Sequence, residues 1–418
     1  MTLAHEPSLA ALAASPRAFR RLPALAGAPG FFRSALRLMV RNWMAGDLTW
    51  VMPSGRSLRI QAEAPGPSAN IVVRDFRCVR RALVAGAIGF AEGYMAGEWE
   101  TSDLTAVLTV FSLNFQNLSR VTVGNPLVGA FNFLSHALNR NSRHGSRRNI
   151  HAHYDLGNAF YSRWLDPSMT YSSARYQGPG QPLADAQANK YRTLAQSMDL
   201  QAGQHVLEIG CGWGGFAEFA AREVGAKVTA ITISQEQFNF ASQRMFDQGL
   251  ADRAEIRLID YRDVQGQFDR VASIEMFEAV GEQYWPTYFG KIAEVLKSGG
   301  RAGLQVITIQ DDLFQDYRRH ADFIQKYIFP GGMLAAENRL RQETDRVGLA
   351  WTGISRFGPD YGETLAEWKR RFDASWDDIR RLGFDQRFRR LWDFYLSYCE
   401  AGFRTGRTDV VQLALSKA

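Results

Sequence analysis

The stretch VLEIGCGWGG, residues 206–215, joins an apolar run to four glycines and one acid. Such a run is typical of a strand that ends in a ligand-binding loop, because glycine lets backbone N–H groups approach a ligand closely. The predicted loop glycines are Gly210, Gly212, Gly214 and Gly215. Glu208, inside the strand, would repel a dinucleotide pyrophosphate and attract a cation. The stretch therefore favours a cationic ligand such as a sulfonium.

Polar groups also stand at the ends of the next two predicted strands. The stretch AITISQEQ contains an S-x-x-Q capping box that begins a helix. Thr232 and Gln237 in this stretch could also hydrogen-bond a ribose or an amino-acid group. The third strand ends in IDYRD, where Asp260, Tyr261 and Arg262 occupy the position at which class I methyltransferases contact adenine.

The elements that must position these groups form an alternating pattern. From residue 203, short apolar strands alternate with helical stretches, which predicts an α/β fold with a doubly wound, Rossmann-like parallel sheet. After residue 310 the periodicity is helical and aromatic, and we expect these helices to form a lid over the sheet. Residues 1–140 predict a smaller α/β domain with a hairpin at LTWVMPSGRSLRIQ and a helix capped by Thr101 or Ser102. Residues 141–418 form the predicted catalytic domain.

Composition excludes several classes of protein. No apolar stretch approaches the roughly 18 residues of a membrane span, and no signal peptide is evident, which predicts a cytoplasmic protein. The three cysteines are far apart, so they form neither a disulfide framework nor a CxxC metal site.

The net charge is +6, and the basic residues are clustered. Such clusters indicate solvated faces, or else a surface that binds anionic lipid or nucleic acid. The clusters comprise Arg17, Arg20, Arg21, Arg33, Arg37 and Arg41; Arg140, Arg143, Arg147 and Arg148; and Lys369, Arg370, Arg371, Arg380, Arg381, Arg387, Arg389 and Arg390.

Five motifs in fixed order resemble the cyclopropane fatty acid synthase family. They are HYDLGNAFYSRWLDPSMTYSSARY, VLEIGCGWGG, ITISQEQ, MFEAVG and YIFPGG. The resemblance covers roughly residues 150 to 405, and GFAEGYMAGEWE extends it weakly into the first domain. It implies an S-adenosylmethionine-dependent C-methyltransferase that acts on unsaturated acyl chains of membrane phospholipids.

The resemblance also implies which residues hold the cofactor. Tyr171 and Ser172 would contact its methionine part, with the loop glycines beneath. Thr232, Ile233 and Gln237 would hold the ribose region, and Tyr261 would lie near the adenine. The predicted cofactor-binding residues are Tyr171, Ser172, Glu208, Gly210, Gly212, Gly214, Thr232, Ile233, Gln237, Asp260, Tyr261 and Arg262.

Methyl transfer to an isolated alkene leaves a carbocation, so the site should be dry and aromatic. Loss of a proton from the new methyl group closes a cyclopropane ring, the first expectation, whereas loss from a neighbouring carbon leaves a methyl- or methylene-branched chain. In the family, bicarbonate is the proposed base. The resemblance implies that Glu278, in MFEAVG, and Tyr361, in FGPDYGETL, help to hold it.

Three positions depart from the family pattern. Ser173 replaces a cysteine, Gln305 replaces a histidine, and Ala279 replaces a histidine often found after the glutamate. Serine and glutamine can donate hydrogen bonds to an anion, but neither titrates near neutral pH. These departures leave methyl transfer intact in principle and leave open which proton departs.

The remaining hypotheses concern ligands and partners. His151, His153 and Asp155 match the family's HYDLGN entrance better than a metal site, so no metal is expected. The early arginines, interleaved with apolar residues, predict that the first domain docks on the anionic inner face of the membrane. These apolar residues are Phe31, Phe32, Leu36, Leu38 and Trp43. A homo-oligomer is compatible with the sequence.

Two other functions compete with this hypothesis. The first is a methyltransferase for a small diffusible acceptor or RNA, although no organised basic stripe supports RNA. The second is a non-catalytic lipid-binding protein.

Overall fold

The computed structural model describes residues 9–16, 19, 22–119 and 156–418. Its strands are β1 Ala45–Val51, β2 Ser57–Gln61, β3 Ala64–Val73, β4 Trp99–Glu100, β5 His205–Ile209, β6 Lys227–Thr232, β7 Ala254–Leu258, β8 Phe268–Ile274, β9 Leu296–Ile309, β10 Leu349–Arg356 and β11 Thr408–Lys417. Its α-helices are α1 Leu9–Ala14, α2 Gly30–Arg41, α3 Arg77–Met95, α4 Leu104–Leu113, α5 Phe115–Ser119, α6 Asn158–Tyr161, α7 Leu183–Ser197, α8 Gly215–Phe219, α9 Gln235–Asp247, α10 Trp285–Val295, α11 Phe314–Tyr317, α12 Phe323–Tyr327, α13 Glu337–Arg346, α14 Gly358–Ala374, α15 Trp376–Arg381 and α16 Gln386–Arg404.

The chain divides into two units that are not continuous in sequence. The first unit contains Met1–Phe133 and Phe384–Thr405, and the second contains Leu134–Gly383 and Gly406–Ala418. Helix α16, which the sequence assigns to the catalytic domain and its lid, therefore belongs to the first unit. The predicted boundary near residue 140 lies outside the described residues, as do the HYDLGN histidines and the basic cluster at 140–148.

The first unit is built on a four-stranded sheet in the order β2-β1-β3-β4. The antiparallel pair β1 and β2 is the hairpin that alternation around Pro-Ser-Gly predicts. Helix α4 begins with Asp103 as its N-cap, whose carboxylate accepts from the Ala106 N–H, so the prediction of Thr101 or Ser102 is wrong. An Asp side chain one residue nearer the helix fulfils the same role.

Three of the apolar residues on which the docking prediction depends are core residues: Phe32, Leu36 and Trp43.

Helix α16 packs against α3 and α4 of the first unit. The Tyr94 hydroxyl donates to Asp393 at 2.5 Å, and the Thr105 hydroxyl donates to Glu400 at 3.0 Å. Trp392, on the same helix, is buried. These hydrogen bonds join residues about three hundred positions apart in the chain. Together with the burial of Trp392, they hold α16 in the first unit.

The second unit contains a seven-stranded sheet in the order β10-β11-β9-β8-β5-β6-β7. The five strands from β9 to β7 pair in parallel, and β11 pairs antiparallel with both β9 and β10. Helices cover both faces because successive side chains of each strand point to opposite sides. In β5, Leu207 and Ile209 enter one core, while Val206 enters the other. The predicted doubly wound sheet is confirmed.

Across the ranges that the structure describes, no helix combines the length and the apolar character that a bilayer crossing requires.

Candidate active site

The glycine loop begins where β5 ends, at the carboxyl edge of the sheet. The N–H groups of Gly210 and Cys211 both donate to the Ile231 carbonyl, which fixes the loop to β6. Gly210 has φ +81°, and a Cβ there would lie 2.5 Å from the Met276 side chain. Gly212 has φ +53°, and a Cβ there would meet nothing within 4 Å. Gly212 therefore borders the open space that a ligand would enter.

The remaining two glycines of the loop serve packing. A Cβ on Gly214 would lie 3.1 Å from the Ala241 side chain, and one on Gly215 would lie 2.3 Å from the Tyr191 hydroxyl. Both allow helices to pack closely behind the loop. Among the four, only Gly212 has open space at its Cβ position, and the contact of the loop glycines with a ligand stays a prediction.

Glu208 lies in β5 directly before this loop and is buried. Burial raises the pKa of Glu208 to about 8, and the charge of Lys190 and the Ala217 N–H oppose that rise. Its Oε2 atom is buried and has no hydrogen-bond partner within the described part of the chain. An incompletely satisfied carboxyl group beside an open loop fits a cationic ligand, because a nearby positive charge would stabilise its ionised form.

Ser172 is hydrogen-bonded to a buried lysine. The Lys190 Nζ donates to the Ser172 hydroxyl at 2.6 Å. Burial lowers the pKa of Lys190 to about 7. Three carboxyl groups oppose this shift: Glu275, Asp166 and Glu208. Lys190 is fully buried, and it was not anticipated as a site residue.

The predicted ribose group stands where β6 ends and α9 begins. The Thr232 hydroxyl donates to the Gln237 side chain at 2.8 Å, and the Ser234 hydroxyl caps α9 by accepting from the Gln237 N–H. Ile233 between them is partly buried. The structure thus brings these residues together at the carboxyl edge of the sheet, and their contact with a ribose stays a prediction.

The predicted adenine group follows β7. Arg262 donates to both carboxylate oxygens of Asp260, at 2.8 and 2.6 Å, and stands over the Tyr261 ring. Tyr261 in turn contacts Tyr288 edge to face, with centroids 5.6 Å apart. These contacts make the segment rigid, and its contact with adenine stays a prediction.

Three of the four residues predicted to hold an anion, Ser173, Gln305 and Tyr361, converge instead on Glu275. Its Oε1 accepts from the Ser173 backbone N–H and from Gln305 Nε2, both at 2.8 Å. Its Oε2 accepts from the Tyr361 hydroxyl at 2.6 Å. The Ser173 hydroxyl is turned away and donates to the Ala174 carbonyl. Ser173 thus contributes its backbone, not the side-chain donor that the sequence predicts.

Glu275 was not anticipated from the sequence. It directly follows β8 and has φ +48°, a conformation that costs energy for any residue other than glycine. The available signal was an acid at the carboxyl end of a buried strand, where ligands bind in such sheets. Its neighbour Met276 contacts Gly210, so Glu275 stands beside the glycine loop.

Glu278, the predicted anion holder, lies three residues after Glu275 in a short 3-10 helix, Phe277–Ala279. Its Oε1 accepts from the Ile307 N–H at 2.5 Å, and its Oε2 is buried and unpartnered among the described residues. Burial, and then the charge of Glu275, raise the pKa of Glu278 to about 8. Near neutral pH this carboxyl group is therefore mostly protonated.

Bicarbonate does not fit these residues. The Tyr361 hydroxyl and the Gln305 amide, two of its predicted donors, are already bonded to Glu275. The Gln305 carbonyl oxygen also accepts from Gln412, so the amide cannot turn without breaking that bond. A second anion beside the Glu275 carboxylate would in addition be repelled.

An aromatic wall adjoins this carboxyl pair. Tyr361 contacts Trp368, and Trp368 contacts both Trp164 and Tyr171, with ring centroids 5.3 to 6.1 Å apart. Tyr171 also contacts Phe329, of the YIFPGG motif, at 6.4 Å. Trp164 and Trp368 are fully buried, whereas Tyr171 keeps part of its surface exposed. The dry, aromatic surroundings that carbocation chemistry requires are present.

No group of three or more His, Cys, Asp or Glu side chains could hold a metal ion in the residues that the structure describes.

The sheet order, the glycine loop and the unsatisfied acid beside it define a class I methyltransferase dependent on S-adenosylmethionine. The family model described as mycolic acid cyclopropane synthetase matches residues 141–413. The chain belongs to this family, and the resemblance found in the sequence is confirmed. Its members in the comparisons include both cyclopropane synthases and fatty acid methyltransferases.

Two curated relatives match most of the chain. The tuberculostearic acid methyltransferase UfaA1 of Mycobacterium tuberculosis is 40% identical over 366 residues, which are 85% of this chain and 84% of the relative. The cyclopropane-fatty-acyl-phospholipid synthase of Escherichia coli K12 is 34% identical over 384 residues, 90% of this chain and 94% of the relative. A crystal structure of mycolic acid cyclopropane synthase CmaA1 complexed with SAH and CTAB superposes with a TM-score of 0.62 at 28% identity, covering 65% of this chain and 98% of that one.

Proposed function

We propose that this protein transfers the methyl group of S-adenosylmethionine to the cis double bond of an unsaturated acyl chain in a membrane phospholipid. The observation that carries the proposal is the pairing of an aromatic wall with a carboxyl pair beside the cofactor loop. Aromatic faces and a nearby anion are the groups that stabilise a carbocation formed in the absence of water.

The cofactor, when bound, supplies a methyl group on a positively charged sulfur. Gly212 provides room for it, and Glu208 would stabilise its charge. Tyr171 and Trp368 would exclude water from the reacting carbons, because water would capture the cation. The other predicted cofactor-binding residues keep their proposed roles at the methionine, ribose and adenine positions.

The leading candidate product is a methyl- or methylene-branched chain. The relative that is 40% identical is named for tuberculostearic acid, and the donors of the anion site do not fit bicarbonate. Cyclopropane formation is the second candidate, because a relative at 34% identity over 90% of the chain is named a cyclopropane synthase. The two reactions share methyl transfer and differ in the carbon that loses its proton.

The test is a product assay with purified protein, methyl-labelled S-adenosylmethionine and vesicles of cis-unsaturated phospholipid, with the acyl chains analysed by NMR. A labelled methyl or methylene group on the chain supports branching, and upfield cyclopropyl signals support ring closure. Vesicles of saturated phospholipid are the matched control and should take no label. Acyl chains that stay unlabelled in both vesicles would refute the proposal and favour a small diffusible acceptor.

We further propose that the first unit docks on an anionic membrane surface. Leu83 and Val84 are 40% and 42% exposed, directly before the point where α3 departs from helical geometry at Gly86. Arg77 and Arg80 are exposed in the preceding turns of the same helix. Large apolar side chains flanked by cations are the arrangement that binds a lipid interface.

Helix α2 of the same unit carries a comparable face. Phe31 and Leu38, each 40% exposed, lie seven residues apart, and the exposed Arg41 continues this stripe. The opposite face, which includes Phe32 and Leu36, packs in the core. Of the apolar residues predicted to dock, Phe31 and Leu38 are therefore the two available to lipid.

Vesicle co-sedimentation tests the docking proposal. The double change Leu83→Glu with Val84→Glu should reduce binding to anionic vesicles at least tenfold, because two apolar contacts become repulsive charges. Leu382→Glu, at a residue 42% exposed in the second unit, is the matched control and should leave binding unchanged. Equal losses in both variants would contradict docking through this face.

A further inference from the structure

Four chain segments converge on the Glu275 carboxylate. The loop at Ser173, the end of β8, strand β9 at Gln305 and helix α14 at Tyr361 each supply one partner or the acid itself. Three hydrogen bonds reach its two oxygens, yet the residue keeps part of its surface accessible. A carboxylate that is held by three hydrogen bonds and is still partly accessible fits a role in chemistry better than a role in packing.

The two carboxyl groups of the site differ in how strongly their surroundings favour the ionised form. Burial raises the pKa of Glu275, but the charge of Lys190 and the three hydrogen bonds that Glu275 accepts oppose that rise and favour its ionised form. Glu278 accepts a hydrogen bond from the Ile307 N–H, but burial and then the charge of Glu275 disfavour its ionised form. When two neighbouring carboxyl groups differ in how readily they ionise, the more readily ionised one can act as the base and the other stays neutral.

We propose that Glu275 is the proton acceptor of the reaction, with its carboxylate in the position that a bound anion would otherwise take. The inference rests on the proposed methyl transfer. As the carbon–sulfur bond breaks and the new carbon–carbon bond forms, an adjacent carbon of the acyl chain becomes cationic. An oxygen of Glu275 then takes a proton from a chain carbon next to the cationic carbon, and the electron pair of that carbon–hydrogen bond becomes the π bond of a methyl-branched alkene. If the proton comes from the new methyl group instead, the same electron pair becomes the bond that closes a cyclopropane ring. The Glu275 carboxylic acid then releases its proton to solvent.

A side-chain base makes the reaction independent of dissolved bicarbonate. Wild-type protein should therefore keep its turnover in buffer freed of carbon dioxide. Glu275→Gln keeps the shape of the side chain and loses the base, so turnover should fall at least 100-fold, while the affinity for S-adenosylmethionine, measured by calorimetry, changes less than threefold. Glu282→Gln is the matched control in the next turn, where the carboxylate pairs with Arg318, and it should keep full turnover.

Glu275→Gly provides a second variant that should fold, because glycine accepts the φ of +48° without strain. It leaves the donors of Ser173, Gln305 and Tyr361 around an empty space. Added formate or bicarbonate should occupy that space and restore at least a tenth of wild-type turnover. Line broadening of carbon-13 bicarbonate, which needs no activity, should appear with this variant and not with wild-type protein.

The outcomes separate the two proposals. Suppose that wild-type protein labels acyl chains. If Glu275→Gln then keeps turnover within threefold of wild type, or if removal of bicarbonate abolishes wild-type turnover, Glu275 is not the proton acceptor. The methyl-transfer proposal stands in either case. If wild-type protein binds S-adenosylmethionine and never labels an acyl chain, the proposed function itself fails, and the proposed base fails with it.

Discussion

Replacing Glu278 by glutamine should change how stability depends on pH. The pKa of Glu278 rises from 4.5 to about 8 in the folded protein, through burial and the charge of Glu275. Between these two values the native state binds one more proton than the unfolded chain. The free energy of unfolding therefore falls as pH rises through this window, and the penalty is complete above pH 8.

The expected size follows from the linkage relation. Each pH unit inside the window costs about 1.4 kcal/mol, so from pH 5 to pH 8 the wild-type protein loses up to about 4 kcal/mol through this one group. Glu278→Gln removes the titration and keeps an oxygen that can accept from the Ile307 N–H. The unpartnered amide group of the variant adds a cost that does not depend on pH.

Urea unfolding at one-unit steps from pH 5 to pH 9, without cofactor, measures the effect. The unfolding free energy of Glu278→Gln minus that of wild-type protein should rise by about 4 kcal/mol up to pH 8 and then stay level. Glu236→Gln, at an exposed position on α9, is the control and should give a difference that is flat across this range. A flat or falling difference for Glu278→Gln would refute the assignment of a protonated carboxyl group.

Four further changes test the rest of the site. Gly210→Ala should weaken binding of S-adenosylmethionine at least tenfold in calorimetry, because the added Cβ would collide with the neighbouring methionine at positive φ. Since the pKa of Glu208 is raised to about 8 by burial, the affinity for S-adenosylmethionine should increase from pH 6 to pH 8, and Glu208→Gln should abolish that increase. Trp368→Leu should admit water, so mass spectrometry should find hydroxylated acyl chains that the wild-type protein does not make. If the anion site controls proton loss, Ser173→Cys with Gln305→His should shift the ratio of ring to branched product in NMR, whereas an unchanged ratio would mean that the acyl position controls it.

Local patterns in the sequence predict the sheet and the cofactor loop well. The apolar strands around Glu208 and the glycines that follow it appear within ten residues, and the parallel sheet follows from the alternation of strands and helices. The meeting of Ser173, Gln305 and Tyr361 was anticipated only because the motifs resemble a known family, since these residues are up to 188 positions apart in the chain.

Other features depend on the folded environment and escape such reasoning. Nothing near Glu275 in the sequence reveals that its side chain, rather than a bound anion, would satisfy the donors of Gln305 and Tyr361. Lys190 is buried because α7 packs onto β9 and β11 of the sheet, a contact that helix periodicity does not reveal. Helix α16 was assigned to the wrong unit because its aromatic face can pack against either one, and only the matching partners in α3 and α4 decide.

The position of α16 also sets the order in which the protein can be completed during translation. The first unit lacks this helix until residue 404 has been synthesised, and the large sheet lacks its inner strand β11 until residue 417. Neither unit can therefore reach its final packing while the ribosome is still translating the middle of the mRNA. Both hydrophobic cores are incomplete for most of synthesis, and incomplete cores are prone to aggregate. The yield of folded protein should therefore depend on chaperones and on translation speed more strongly than the stability of the finished protein would indicate.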